Sequence, residues 1–126
     1  MEIINSRFSV VAVDSEGKKF EKVSRALLKN ETSSIVLDYH SILFPLSSAD
    51  TVDFILYDKI NESAITIPSK YNYVMNGKIY EIIEGDDDKL KIIGSLGGLY
   101  LELNVDKETK GNLNDFSNIT IGLRKI

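Results

Sequence analysis

Few side chains here have the types and spacing for chemistry. His40 is the sole histidine, and the chain has no cysteine. A general base needs a partner that orients it and a nucleophile within reach. No hydrolase motif surrounds His40, so it reads as an exposed or hydrogen-bonded strand residue. The run Gly94-Ser95-Leu96-Gly97-Gly98 is superficially like a nucleophile elbow. Its serine is misplaced for G-x-S-x-G and no helix follows, so a β-turn is the better reading. Asp86-Asp87-Asp88 offers hard oxygen ligands, but without the alternation, central glycine and closing glutamate of a calcium loop. Three adjacent carboxylates at a hairpin tip are expected to be solvated and to discourage edge association. No phosphate loop, zinc spacing or dinucleotide fingerprint is present, so no metal and no cofactor are expected.

The basic cluster Lys18, Lys19, Lys22 and Arg25, with Phe20 inside it, is the one local contrast. On a barrel that binds single strands, such a cluster contacts phosphates while an aromatic stacks on bases. Glu16 and Glu21 dilute it, and the chain as a whole carries a net charge of −4 with a pI near 5.0. Non-specific nucleic-acid binding depends on net positive charge, so protein docking or plain solvation of this hairpin is favoured. The 126 residues suffice for one domain with a core. Cysteine-free composition excludes disulfides and thiolate metal sites and favours an intracellular home. The start MEIINSRF lacks a basic region followed by an apolar run, so no secretory signal is expected. No apolar stretch approaches the roughly 20 residues that span a bilayer.

The elements that must position these residues are strands. In the stretch Tyr71–Leu103, Leu90, Ile92, Gly94 and Leu96 share one parity, and Leu99, Leu101 and Leu103 share the other. Alternation puts each set on one face. Gly97-Gly98 between them suits a two-residue turn with positive φ, which pairs Leu96 with Leu99 and Gly94 with Leu101. Asn76-Gly77 permits two readings. It is either a second hairpin turn, or a point within one strand from Tyr71 to Ile83 with a bulge or bend at Gly77. Unbulged, the long strand puts Tyr71, Tyr73, Met75, Ile79 and Ile83 on one face. A bulge at Gly77 turns Tyr80 and Ile82 inward instead.

Elsewhere, Arg7–Val13 reads as a strand with Phe8, Val10 and Ala12 opposed to Val11 and Val13. Phe20–Leu28 reads as its returning partner. Ser34–Phe44 reads as a long β-rich run stopped by Pro45. Val52, Phe54 and Leu56 alternate along another strand, and Asn61–Ser69 reads as a loop. Asp106–Gly111 reads as solvated, and Leu113–Phe116 as a short turn that plugs the core. Asn118–Ile126 is a closing strand with Ile119, Ile121 and Leu123 on one face. No sustained helical period occurs. The expected fold is all-β, an antiparallel barrel or sandwich of seven or eight strands.

Two blocks carry a family resemblance. Tyr73, Val74, Met75, Gly77 and Tyr80, followed by Gly97, Gly98 and Leu99, are similar to the paired signature of the eighth common subunit of the eukaryotic nuclear RNA polymerases. Glu16 to Arg25 resembles that family's early hairpin, and the likeness extends over nearly the whole chain. Asn76 departs from the family's usual aromatic, and the connection from Lys59 to Lys70 is shorter than its variable loop. The resemblance implies one barrel domain, residues 1–126, of about eight strands and related to the oligonucleotide-binding fold. It implies a continuous strand through Gly77. It further implies a non-catalytic subunit in the nucleus that docks on the largest polymerase subunit, needs no cofactor, meets no membrane and binds nucleic acid weakly or not at all. The expected partner-facing residues are Tyr73, Met75, Gly77, Gly97, Gly98, Leu99, Lys18, Lys19, Phe20 and Arg25. The alternative is a free-standing module for single-stranded nucleic acid; a carboxylate-based hydrolase ranks third.

Overall fold

The computed structural model describes residues 2–18, 20–58, 68–111 and 113–126. Eight strands follow one another: β1 (Glu2–Val13), β2 (Val23–Lys29), β3 (Ser34–His40), β4 (Thr51–Asp58), β5 (Tyr73–Glu84), β6 (Lys89–Leu96), β7 (Leu99–Asp106) and β8 (Asn118–Lys125). They close into an antiparallel barrel in the order β1-β2-β3-β7-β6-β5-β8-β4, so the all-β expectation holds. A 3-10 turn at Lys107–Lys110 lies in the stretch read as solvated, and no α-helix occurs among the described residues.

Alternating burial follows from closure, because every second side chain points inside. Phe54, Leu56, Leu101, Leu103, Ile119, Ile121 and Leu123 are fully buried. Phe8 meets Phe54 edge-on with centroids 5.9 Å apart, an arrangement the ring quadrupoles favour. Leu113 is fully buried and plugs the barrel as expected, whereas Phe116 of the same turn is exposed.

Two long strands each serve two partners, and each is bulged where the partner changes. β1 pairs with β4 through Glu2–Ser9 and with β2 through Ser9–Val13, with Val11 as the extra residue. The bulge places Val11 outside and lets Val13 pack against the core, which breaks the simple parity expected for this strand. β5 pairs with β8 through Tyr73–Lys78 and with β6 through Lys78–Glu84. It is continuous through Gly77, as the resemblance implied, but its register shifts between Ile79 and Glu81. The bulge therefore sits at Tyr80, not Gly77. Tyr80 stays outside, Ile82 turns inward, and Ile83 lies on the outer face. A bulge sharpens strand bending and twist, which a strand needs when it leaves one sheet neighbour for another.

Three further boundaries differ from expectation. β2 begins at Val23, so Phe20 lies in a bend. β3 ends at His40, and residues 41–43 form a turn. Tyr71 precedes β5 and packs outside the barrel, not on the inner face of Tyr73. A Cβ on Gly122 would come within 3.1 Å of both Ile55 Cγ2 and Tyr71 Cβ. The tyrosine thus covers Ile55 on the outer wall, and glycine is what lets it lie there. The expected loop at Asn61–Ser69 and the short Lys59–Lys70 connection fall largely on residues 59–67, outside the described residues.

Candidate interaction surface

The residues named by the resemblance gather in two groups on either side of the turn after β3. The first group is the mouth formed by β5 and the β6–β7 hairpin. Leu96 pairs with Leu99, and Gly97 and Gly98 close the turn at φ 62° and 96°, as the local sequence required. The turn is fastened by Ser95, whose Oγ accepts from Gly98 N–H at 2.9 Å. No atom would lie within 4 Å of a Cβ on either glycine, so the tip is open to an approaching chain. Gly77 differs. A Cβ there would overlap the Ser95 carbonyl oxygen and lie 2.8 Å from Leu96 Cδ2. Gly77 therefore brings the β5 and β6 backbones together behind the hairpin tip.

Tyr73 and Met75 are half-buried against the core. The Tyr73 ring stacks on Phe44, with centroids 5.1 Å apart and planes 8° from parallel. Its Oη accepts a hydrogen bond from His40 N–H at 2.8 Å. β3 pairs with β7 only as far as Leu37, so Tyr73 satisfies a β3 amide beyond that ladder. His40 in turn accepts at Nδ1 from Leu43 N–H at 3.2 Å. The histidine shapes a turn, in keeping with the non-catalytic reading.

The second group comprises Lys18, Phe20 and Arg25; Lys19 lies outside the described residues. Lys18 Nζ donates to Ser24 Oγ at 2.9 Å, Ser41 Oγ at 3.3 Å and Val23 O at 3.4 Å. Arg25 grips Asp38 through two bonds of 2.7 and 3.0 Å, and its Cζ lies 5.0 Å from the Tyr100 ring centroid. The hydrogen bond to Asp38 pushes the guanidinium pKa further up. Beside Arg25 lies a cleft of about 360 Å³, bordered by Asp14, Glu16, Phe20, Asp38 and Glu102. Burial opposes the charge on Glu102. Hydrogen bonds from Tyr100 Oη at 2.7 Å and Asn104 Nδ2 at 3.1 Å nonetheless hold its pKa below the ordinary carboxylate range. Lys18 and Arg25 are thus engaged within the chain, Lys22 of the same cluster is exposed, and the four carboxylates bordering the cleft outnumber these three cations, a poor arrangement for phosphates.

The turn between the groups escaped the sequence reading. Ile42 and Leu43 are 65% and 72% exposed. Ser41 N–H donates to Lys22 O at 3.0 Å, and Phe44 N–H to His40 O at 3.0 Å. One signal was available: Ile42-Leu43-Phe44-Pro45 places three apolar residues in a row, which strand alternation cannot bury together.

Among the described residues, no group of three or more His, Asp or Glu is placed to hold a metal ion. Fold and surface together define a small closed barrel whose conspicuous features are exposed apolar turns.

The comparisons give this class a family. Residues 5–125 match the family model described as RNA polymerase Rpb8, and the chain belongs to that family. It is 30% identical over 119 residues to a Caenorhabditis elegans protein described as "Probable DNA-directed RNA polymerases I, II, and III subunit RPABC3", covering 80% of each chain. It is 30% identical over 115 residues to "DNA-directed RNA polymerases II, IV and V subunit 8B" of Arabidopsis thaliana, covering 79% of each. A Schizosaccharomyces pombe subunit RPABC3 is 27% identical over 103 residues, covering 80% of this chain and 79% of that one. Among solved structures, the cytoplasmic molybdate-binding protein ModG aligns over 98% of this chain and 93% of its own, at 12% identity and a TM-score of 0.40. That likeness is too distant to carry an argument.

Proposed function

We propose that this chain is a non-catalytic structural subunit of nuclear DNA-directed RNA polymerase, docking on the largest subunit and supporting assembly for transcription. The observation that carries this reading is the Rpb8 family match across residues 5–125. The relatives at about 30% identity are themselves described as polymerase subunits.

The docking surface is the barrel mouth: Ile42 and Leu43, the open Gly97-Gly98 tip with Leu99, and the flanking Lys18–Arg25 segment, with Tyr73, Met75 and Gly77 as its rigid support. Aliphatic side chains on a short, internally bonded turn lose little freedom when covered, so their burial is not offset by a large ordering cost. The open glycine tip allows a partner backbone to approach closely. The barrel acts as a preformed block, and its contribution is shape and buried apolar area.

The test is affinity purification of a tagged chain from native extract, followed by mass spectrometry. Recovery of the large polymerase subunits in near-equal amount is expected. A lone chain, or one eluting with single-stranded nucleic acid, would overturn the proposal.

A further inference from the structure

A strained aromatic lies away from the mouth. Residues 114–117 form a tight turn: Ser117 N–H donates to Asn114 O at 3.1 Å, and Asn114 N–H donates to Ser117 Oγ at 2.9 Å. The third residue of this turn is Phe116, held at φ 68°. Turns of this kind ordinarily place glycine or asparagine there, because a bulky L residue is strained at positive φ. The turn is locked against β5 by Phe116 N–H to Ile79 O at 2.7 Å, Ile79 N–H to Ser117 O at 2.8 Å and Ile82 N–H to Asp115 Oδ1 at 3.1 Å. Yet Phe116 as a residue is 67% exposed, and core burial does not repay the strain.

The β5 bulge has the same character. Ile79 pairs with Gly94 and Glu81 with Ile93 of β6, so Tyr80 is the extra residue between them, outside at 53% exposure. Past the bulge, Ile83 takes the outer face opposite Lys91. Two local irregularities, a positive-φ turn and a bulge, thus present Tyr80, Ile83 and Phe116 to solvent from adjoining segments. Departures from locally preferred sequence that gain nothing within the chain mark functional positions. Rigid, exposed aromatics are the usual anchors of interfaces.

We propose that Tyr80, Ile83 and Phe116 form a second docking patch, distinct from the mouth, that takes an apolar segment bearing lysine or arginine from another polymerase subunit. Charge selects this occupant. Glu81, Glu84, Asp86, Asp87, Asp88 and Asp115 lie on the turn and hairpin that carry the patch, against Lys78, Lys89 and Lys91 and with Lys107 4.0 Å from Asp88, which leaves carboxylates in excess. Such a rim repels phosphates and attracts cationic side chains.

The inference rests on the polymerase reading, and the test separates the two. Parent and variant are co-expressed, the polymerase is purified through another subunit, and their ratio in the complex is measured by mass spectrometry. Phe116→Asn supplies the residue the turn prefers. The free variant is expected to melt at or above the parental Tm, while its incorporation falls about tenfold. Glu81→Lys with Glu84→Lys is expected to lower incorporation in the same direction.

If the parent itself is absent from the polymerase, the functional reading fails. If the parent is present and Phe116→Asn incorporates equally, the patch proposal is overturned. It is also overturned if that variant melts well below the parent, which would make the ring structural. Parental incorporation of the charge reversal would overturn the basic character of the partner. If Phe116→Asn abolishes single-stranded DNA binding by the free chain, the partner is nucleic acid and the proposal is wrong in class.

Discussion

Glycines at Gly77 and Gly98 serve opposite purposes. At Gly98 the constraint is φ alone, with open space around an added Cβ. Gly98→Ala should cost on the order of 1 kcal/mol and leave the barrel intact. At Gly77 an added Cβ meets backbone, the Ser95 carbonyl oxygen, which cannot swing aside as a side chain would. Gly77→Ala should destabilise the chain by roughly 1–3 kcal/mol, visible in a denaturant titration as a lower midpoint with unchanged slope. Equal effects of the two changes would contradict this assignment. Tyr73 offers another contrast. Tyr73→Phe keeps the stack on Phe44 but removes the acceptor for His40 N–H. A partly buried amide left without a partner costs about 1–3 kcal/mol, so the variant should fold with a measurably lower midpoint. The sequence showed that Gly97 and Gly98 belong to a turn, because turn chemistry and side-chain parity are local. It could not show what Tyr73 touches, because His40 lies 33 positions away.

The elements owe their irregularities to neighbours that are distant in sequence. β1 and β5 each change partner midway, and the bulges at Val11 and Tyr80 follow from that change. No local pattern of apolar residues announces such a bulge, which is why the sequence alone leaves open whether Ile83 shares the face of Tyr73 or a bulge at Gly77 turns Tyr80 and Ile82 inward. Fastening between elements is partly ionic. Asp50 accepts from Ser47 N–H at 2.8 Å and lies 3.3 Å from Lys125, while Asp53 meets Arg7 Nε at 2.9 Å. The Ser47 amide and Lys125 lower the Asp50 pKa, and the Arg7 hydrogen bond lowers that of Asp53. A carboxylate with a folded-state pKa below its unfolded value adds stability above the unfolded pKa and loses it as pH falls through the folded one. Burial raises the Asp58 pKa, which works in the opposite sense. With Asp50 tying β8 to the turn before β4 and Asp53 tying β1 to β4, Tm should be level from about pH 7 to 5 and fall below roughly pH 4. Asp50→Asn with Asp53→Asn should make that acid limb shallower, the remainder belonging to Asp14 and Glu102, whose pKa values are also lowered. An unchanged limb would show that other groups control it.

At the scale of the whole molecule, alternation in nearly every segment made an all-β fold legible, since only strands bury every second residue; the choice of barrel over sandwich came from the family resemblance. The order in which the strands close was not legible, because pairing partners are set by packing across the barrel. The exposure of Ile42 and Leu43 is signalled only by the unbroken apolar run Ile42-Leu43-Phe44, because it depends on β3 ending at His40. The net charge of −4 and the internal engagement of Lys18 and Arg25 set an expectation for nucleic acid. Fluorescence anisotropy should find weak binding of single-stranded DNA that falls steeply with salt, and tight, salt-tolerant binding would contradict it. The central claim is that the mouth of this barrel rests on the largest polymerase subunit. Its most direct test is a photo-crosslinking amino acid at position 43, where Leu43 stands exposed, in a chain incorporated into purified polymerase. The account predicts a crosslink to the largest subunit, located by mass spectrometry. A crosslink to a different subunit, or a fully incorporated chain with no crosslink from this position, would contradict it.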